Sequence, residues 1–125
     1  MYSAFVLDEK SRLKVLEKFP FRFEKGVGHH ITYRFPCNKT DEILFSDNIR
    51  LVEYVSDDSL ECFIAEIDGN NIRPDGRKFH LTWSLNQDRK PFESNLLITD
   101  EKIVGEKTNL IIDPISINCT FEILK

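Results

Sequence analysis

The sequence predicts a β-dominated α+β fold, and three observations support that class. Residues 115–123 alternate strictly, with Ile115, Ile117, Cys119, Phe121 and Ile123 on one face and Ser116, Asn118, Thr120 and Glu122 on the other. That period of two belongs to a half-buried strand. Elsewhere, short runs rich in β-branched and aromatic residues are separated by Gly, Pro, Asn and Asp, which gives about seven or eight strands in all. Helical spacing is clear only once, in Leu13, Val15, Leu16 and Phe19. At 125 residues the chain fits one domain, residues 1–125, large enough to bury a core without staples.

Residues 2–7 are a compact apolar run and the first expected strand. Asp8 or Ser11 then caps a helix reaching about Lys18, and Phe19-Pro20 ends it. Phe21 and Phe23 alternate with Arg22 and Glu24 in a brief extended segment. Gly26 and Gly28 follow as turn residues; a phosphate-cradling loop needs a helix next, and here a strand comes next. Residues 36–41 read as a polar loop, and residues 49–55 and 60–67 as two strands around Ser56-Asp57-Asp58-Ser59. Asp68-Gly69-Asn70-Asn71 is the clearest turn signal, and Pro74-Asp75-Gly76 is another. A polar loop at residues 86–94 leads to the apolar pair Leu96-Leu97, with little room for a second helix.

The chain carries 21 acidic and 17 basic residues, a net charge of −4, and its longest basic runs are Arg77-Lys78 and Arg89-Lys90. A protein that grips a long nucleic acid shows a basic stripe, so no extended groove is expected. The balance fits a small partner that offers one or two phosphates to a local pocket. No apolar run approaches the roughly 20 residues of a membrane span, and no basic-then-apolar secretion signal is visible. The expected location is the cytoplasm, of a host cell if the protein is viral, without a membrane partner. Cys37, Cys62 and Cys119 are widely spaced and odd in number, which suggests free thiols and neither a zinc site nor a disulfide framework. Asn38-Lys39-Thr40 and Asn118-Cys119-Thr120 match the glycosylation pattern, which without a secretory route is chance.

The most informative feature is a repeat. Residues 29–35 read His-His-Ile-Thr-Tyr-Arg-Phe, and residues 79–85 read Phe-His-Leu-Thr-Trp-Ser-Leu. Each holds His-apolar-Thr-aromatic, as His30-Ile31-Thr32-Tyr33 and His80-Leu81-Thr82-Trp83. Strand side chains alternate, so His30 shares a face with Thr32, and His80 with Thr82 and Ser84. Tyr33 and Trp83 fall on the opposite, core-facing side. By the same pleat His29 is expected to point away from His30 as a surface or packing residue, which disfavours a three-histidine metal site. Two imidazoles suit phosphodiester cleavage, because one proton must be removed and another delivered near neutral pH. Thr32 and Thr82 can donate hydroxyls to the charge that develops on the phosphate. This chemistry needs no metal or other cofactor, and no carboxylate cluster marks one.

Paired motifs of this kind resemble those of the two-histidine (2H) phosphoesterase superfamily. Both copies match at every motif position. The opening Tyr-Ser-Ala-Phe-Val-Leu-Asp-Glu and the later Lys90-Pro91-Phe92-Glu93-Ser94-Asn95 are similar to one branch. That branch contains the cyclic phosphodiesterase domain of fungal-type tRNA ligases and the Swiss Army Knife RNA repair-like proteins, some of them in phages. The resemblance spans residues 2–97. It implies a bilobal sheet with one motif strand from each lobe facing a central cleft, and it puts Ser94 and Asn95 near the pocket rim. It also implies a substrate with a 2′,3′-cyclic phosphate, on a nucleotide or an RNA end, opened to a 2′-phosphate. Two alternatives stand beside that expectation. One is cleavage of cyclic oligonucleotide or 2′-5′ oligoadenylate signals as an anti-defence enzyme; the other is a non-catalytic module that binds nucleotides or RNA ends. The residues leave open which histidine is acid and which is base.

Overall fold

The computed structural model describes residues 1–38, 42–98 and 107–125. The expected loop at 36–41 is thus described only as far as Asn38, and the rest of the Asn38-Lys39-Thr40 match lies outside the described residues. The apolar pair Leu96-Leu97 has no described side chains. Among the described residues there are eight strands: β1 (Tyr2–Leu7), β2 (Lys25–Gly26), β3 (His30–Arg34), β4 (Ile49–Ser56), β5 (Leu60–Ile67), β6 (His80–Leu85), β7 (Lys107–Ile117) and β8 (Cys119–Leu124). They form one antiparallel sheet, in the order β7-β4-β5-β6-β3-β1-β8 with β2 also on β6. The sheet curls into a half-barrel. Among the described residues the strands are not divided into two separate sheets.

The strictly alternating tail is two strands, not the single one that its pattern suggests. It breaks at Asn118, so that β7 pairs with β4 at one edge of the sheet and β8 pairs with β1 at the other. One residue thus joins opposite edges, which requires the sheet to curl round toward itself. The break is held by helix α1 (Glu9–Lys18), since Asn118 N–H donates to Ser11 Oγ at 2.7 Å and Asp8 N–H to the Asn118 carbonyl at 3.0 Å. Asp8 is the helix N-cap and accepts from Ser11 N–H at 2.7 Å. Alternation survives the break, with Ile115, Ile117 and Phe121 all buried.

Helix α1 packs Val15 into the larger core, with Phe5, Ile31, Phe63, Leu81 and Trp83. Trp83 also donates its indole N–H to the Phe19 carbonyl at 2.8 Å. Tyr33 packs against the same core, so the aromatic positions of both motifs do face inward. The two residues after Lys25–Gly26 are set by close approach to β6. Gly28 has φ +55°, and a side chain there would begin 2.5 Å from the Trp83 ring. Arg12 of α1 clamps the Val27 carbonyl at 3.1 Å.

The expected loop after β6 contains more structure than its polarity indicates. Pro91–Glu93 is a 3₁₀ turn that runs into a short helix, α2 (Ser94–Leu97). Proline at the first helical position and Glu93 accepting from Lys90 N–H account for the start. No helix is long and apolar enough to cross a membrane among the described residues.

Candidate functional site

Strands β3 and β6 are neighbours, paired antiparallel at Ile31 and Leu81. A pair centred there puts each histidine toward the other motif's threonine, His30 toward Thr82 and Thr32 toward His80. All four side chains line one cavity of about 690 Å³ on the face away from α1's core. That volume lies inside the range of roughly 300–1,000 Å³ usual for sites that enclose a small ligand.

The second motif is held tightly. His80 is 9% exposed, and its Nδ1 lies 3.1 Å from the Lys78 carbonyl. A carbonyl can only accept, so Nδ1 carries the proton and Nε2 is the nitrogen left for a ligand. Thr82 Oγ1 lies 3.2 Å from the Pro91 carbonyl and 2.8 Å from Ser94 Oγ. With its one proton on the carbonyl, Thr82 accepts from Ser94, and the hydroxyl is committed inside the protein. It can donate to a ligand only by turning from Pro91.

The first motif is looser. His30 and Thr32 are half-buried, and the Thr32 hydroxyl has no hydrogen bond among the described residues. The expectation that His29 points away from His30 is corrected here: the two Nδ1 atoms are 2.9 Å apart. The pleat argument fails because His29 precedes the strand. From Gly26, opposite Ser84, to Ile31, opposite Leu81, the first segment advances five residues while β6 advances three. The excess bulges around the left-handed Gly28, which turns both rings to one side. One Nδ1–H must donate to the other Nδ1. An exposed histidine favours the Nε2–H tautomer, so His29 is the acceptor and His30 also keeps Nε2 for the cavity.

Burial pulls the His30 pKa down from 6.5 to about 4, with His29 and His80 adding to the effect. Burial likewise takes His80 to about 4; the Lys78 carbonyl opposes this, while Arg73 and Arg77 reinforce it. Both imidazoles are therefore neutral near pH 7 in the free protein.

The other expected site residues divide. Asn95 lines the cavity, its amide donating to the Phe92 carbonyl at 3.0 Å. Ser94 is fully buried behind Thr82 and reaches the cavity only through that hydroxyl. Ser84 is corrected: it does not line the cavity. Its hydroxyl donates to Glu61 and accepts from Phe23 N–H at 3.2 Å, in a buried cluster where Tyr54 also donates to Glu61 at 2.7 Å. The expected shared face is lost because β6 holds an extra residue, Trp83, between the pairs Ser84–Glu61 and Thr82–Cys62, and this bulge turns Ser84 to the face opposite Thr82.

Seven residues that were not expected as site residues also line the cavity; Val27 and Pro91 are two of them. Arg73 and Arg77 stand beside His80, and Tyr2, Phe35 and Phe92 supply aromatic wall. The Tyr2 ring centroid is 5.3 Å from that of His30. A usable signal for the arginines was present, since they flank the Pro74-Asp75-Gly76 turn just ahead of the second motif. That turn folds its ends together, with Arg73 N–H donating to the Arg77 carbonyl at 2.6 Å. Among the described residues, no group of three or more His, Cys, Asp or Glu is placed to hold a metal ion. Comparison with protein-family models, with curated proteins and with solved structures finds no match for this chain.

Proposed function

We propose that the protein is a phosphodiesterase that opens a cyclic phosphate on a nucleotide or RNA end by two-histidine acid–base catalysis, as its resemblance to the 2H phosphoesterases implies. One observation carries this reading: two His-x-Thr pairs, fifty residues apart in sequence, line a single cavity with both Nε2 atoms left for a ligand. The aromatic wall of Tyr2, Phe35 and Phe92 offers faces on which a base can stack.

In this scheme one imidazole takes a proton from water as its oxygen attacks phosphorus. The P–O3′ bond breaks, and the other imidazole gives its proton to O3′, leaving a 2′-phosphate and a free 3′-hydroxyl. The net change is addition of one water. Both rings are neutral in the free site, so the acid must gain its proton as the anion arrives. A bound phosphate favours imidazolium, and repulsion between the rings opposes a second proton. The loaded site then holds one charged and one neutral ring. Thr32 has its hydroxyl free to donate to the phosphate.

The test is incubation with 2′,3′-cyclic mononucleotides, RNA bearing cyclic ends and cyclic dinucleotides, in excess chelator, with products read by mass and chromatography. The expected product is a 2′-phosphate heavier by one water. Turnover of none of these substrates, or turnover that returns only with a divalent ion, contradicts the proposal.

A further inference from the structure

The cavity has a wall that neither motif supplies. Arg73 is buried, its side chain 3% exposed, with Nη2 2.6 Å from Asp75 Oδ2. Its Nε is shut away from solvent without a hydrogen-bond partner. Asp75 is itself 26% exposed, so among the described residues one partly solvated carboxylate balances a buried guanidinium. A charge left that way is costly unless something completes its pairing. Arg77 stands at the other end of the turn, and its side chain makes no hydrogen bond or ion pair among the described residues. Among the described residues no carboxylate lines the cavity, although the protein as a whole is acidic. The positive charge is therefore concentrated at one side of one pocket.

This exceeds what the cleaved group requires. A cyclic phosphodiester carries a single negative charge, which an imidazolium and the Thr32 hydroxyl already meet. Two guanidiniums beside His80 suit a second phosphate, since arginine forks match phosphate oxygens. We infer that Arg73 and Arg77 form a second anion subsite, which takes a phosphate one sugar away from the bond being cleaved. The inference rests on the phosphodiesterase reading and narrows it: the preferred substrate is a 5′-phosphorylated nucleotide or an oligonucleotide, not a cyclic nucleoside monophosphate alone.

Two sources share this chemistry, an RNA end and a cyclic oligonucleotide, and the experiment separates them. kcat/KM is measured for adenosine 2′,3′-cyclic phosphate, its 5′-phosphorylated form, a dinucleotide ending in the cyclic phosphate, and a cyclic dinucleotide. The 5′-phosphorylated form and at least one of the dinucleotides should exceed the simple substrate by about tenfold or more, the scale of one charge-assisted contact. Arg77→Gln should erase most of that advantage, and Arg73→Lys, which keeps the buried charge, should retain part of it. The dinucleotide that gains identifies the source. Equal kcat/KM for all substrates overturns the inference, as does an Arg77→Gln loss that is the same with and without the second phosphate. Calorimetry keeps this distinct from the catalytic reading, since it needs no turnover. Adenosine 2′,5′-bisphosphate should bind more tightly than adenosine 2′-phosphate, and only while Arg77 is present. Equal binding overturns the subsite even if cleavage is observed.

Discussion

The two copies of one four-residue motif have come to rest in different surroundings. His80 and Thr82 lie on a central strand, buried, with Nδ1 on a backbone carbonyl and the threonine hydroxyl tied to Pro91 and Ser94. His30 and Thr32 lie half-buried beside a bulge, with Nδ1 on another side chain and the threonine hydroxyl unengaged among the described residues. Sequence identity at the motif sets which atoms are offered; the position in the sheet decides how many of them are engaged within the protein. The rigid copy acts as the frame, and the loose copy keeps more of its hydrogen-bonding capacity for a ligand.

The strongest way to break this comparison is to remove the feature that the copies share. His30→Ala and His80→Ala should each lower turnover by about 10²–10⁴, the usual worth of one acid or base. A large loss at only one of them would mean that the copies do not work as a pair. The threonines sharpen the contrast. Thr32→Val should cost about 10² in kcat with little change in stability, as expected for a lost donor to developing charge. Thr82→Val strands Ser94 and the Pro91 carbonyl, and should cost about 1–3 kcal/mol in urea unfolding. Similar stabilities for the two variants would erase the distinction between frame and donor.

Acid should expose the burial of the second copy. The unfolded chain protonates His80 near 6.5 and the folded one near 4, so between these values the unfolded state binds more protons. The stabilising contribution is complete above pH 6.5 and is lost as pH falls toward 4. His80→Gln should therefore remove up to about 3 kcal/mol of the acid destabilisation, which unfolding at pH 7 and pH 4.5 would measure. The smallest effect belongs to His29. His29→Ala should lower turnover by on the order of tenfold, well short of the loss at His30, because it frees the His30 tautomer without removing the ring. Nitrogen NMR of the imidazoles should show His30 protonated on Nδ1 in the native protein and mixed in the variant. An unchanged tautomer would show that the 2.9 Å contact does not hold the ring.

Local signals in the sequence placed the helix, with Asp8 as one of two candidate caps, the strands β4 and β5 and the His-x-Thr faces of both motifs. Each depends on residues within a few positions of one another. What escaped depends on distant partners. Nothing in the alternation from Ile115 to Ile123 marks Asn118 as the point where the chain leaves one sheet edge for the other, since both strands bury the same parity. Ser84 has the right sequence parity for the cavity, yet a bulge at Trp83, visible only in the register against β5, turns it to the opposite face, where it meets Glu61. His29 was misplaced because the bulge shows only in the register against β6. The arginines were visible as residues, but their convergence on His80 needs the turn closed.

The central claim is that the two copies form one acid–base pair. It is tested most directly by the pH dependence of kcat/KM on a 2′,3′-cyclic phosphate for the native protein, His30→Gln and His80→Gln. The native profile should be a bell centred on the acid side of neutrality, because burial holds both free imidazoles near 4. Each variant should lose a different limb and keep the other, which would assign acid and base. Both limbs persisting in both variants would contradict the account, and the motifs would then be a phosphate clamp without proton transfer.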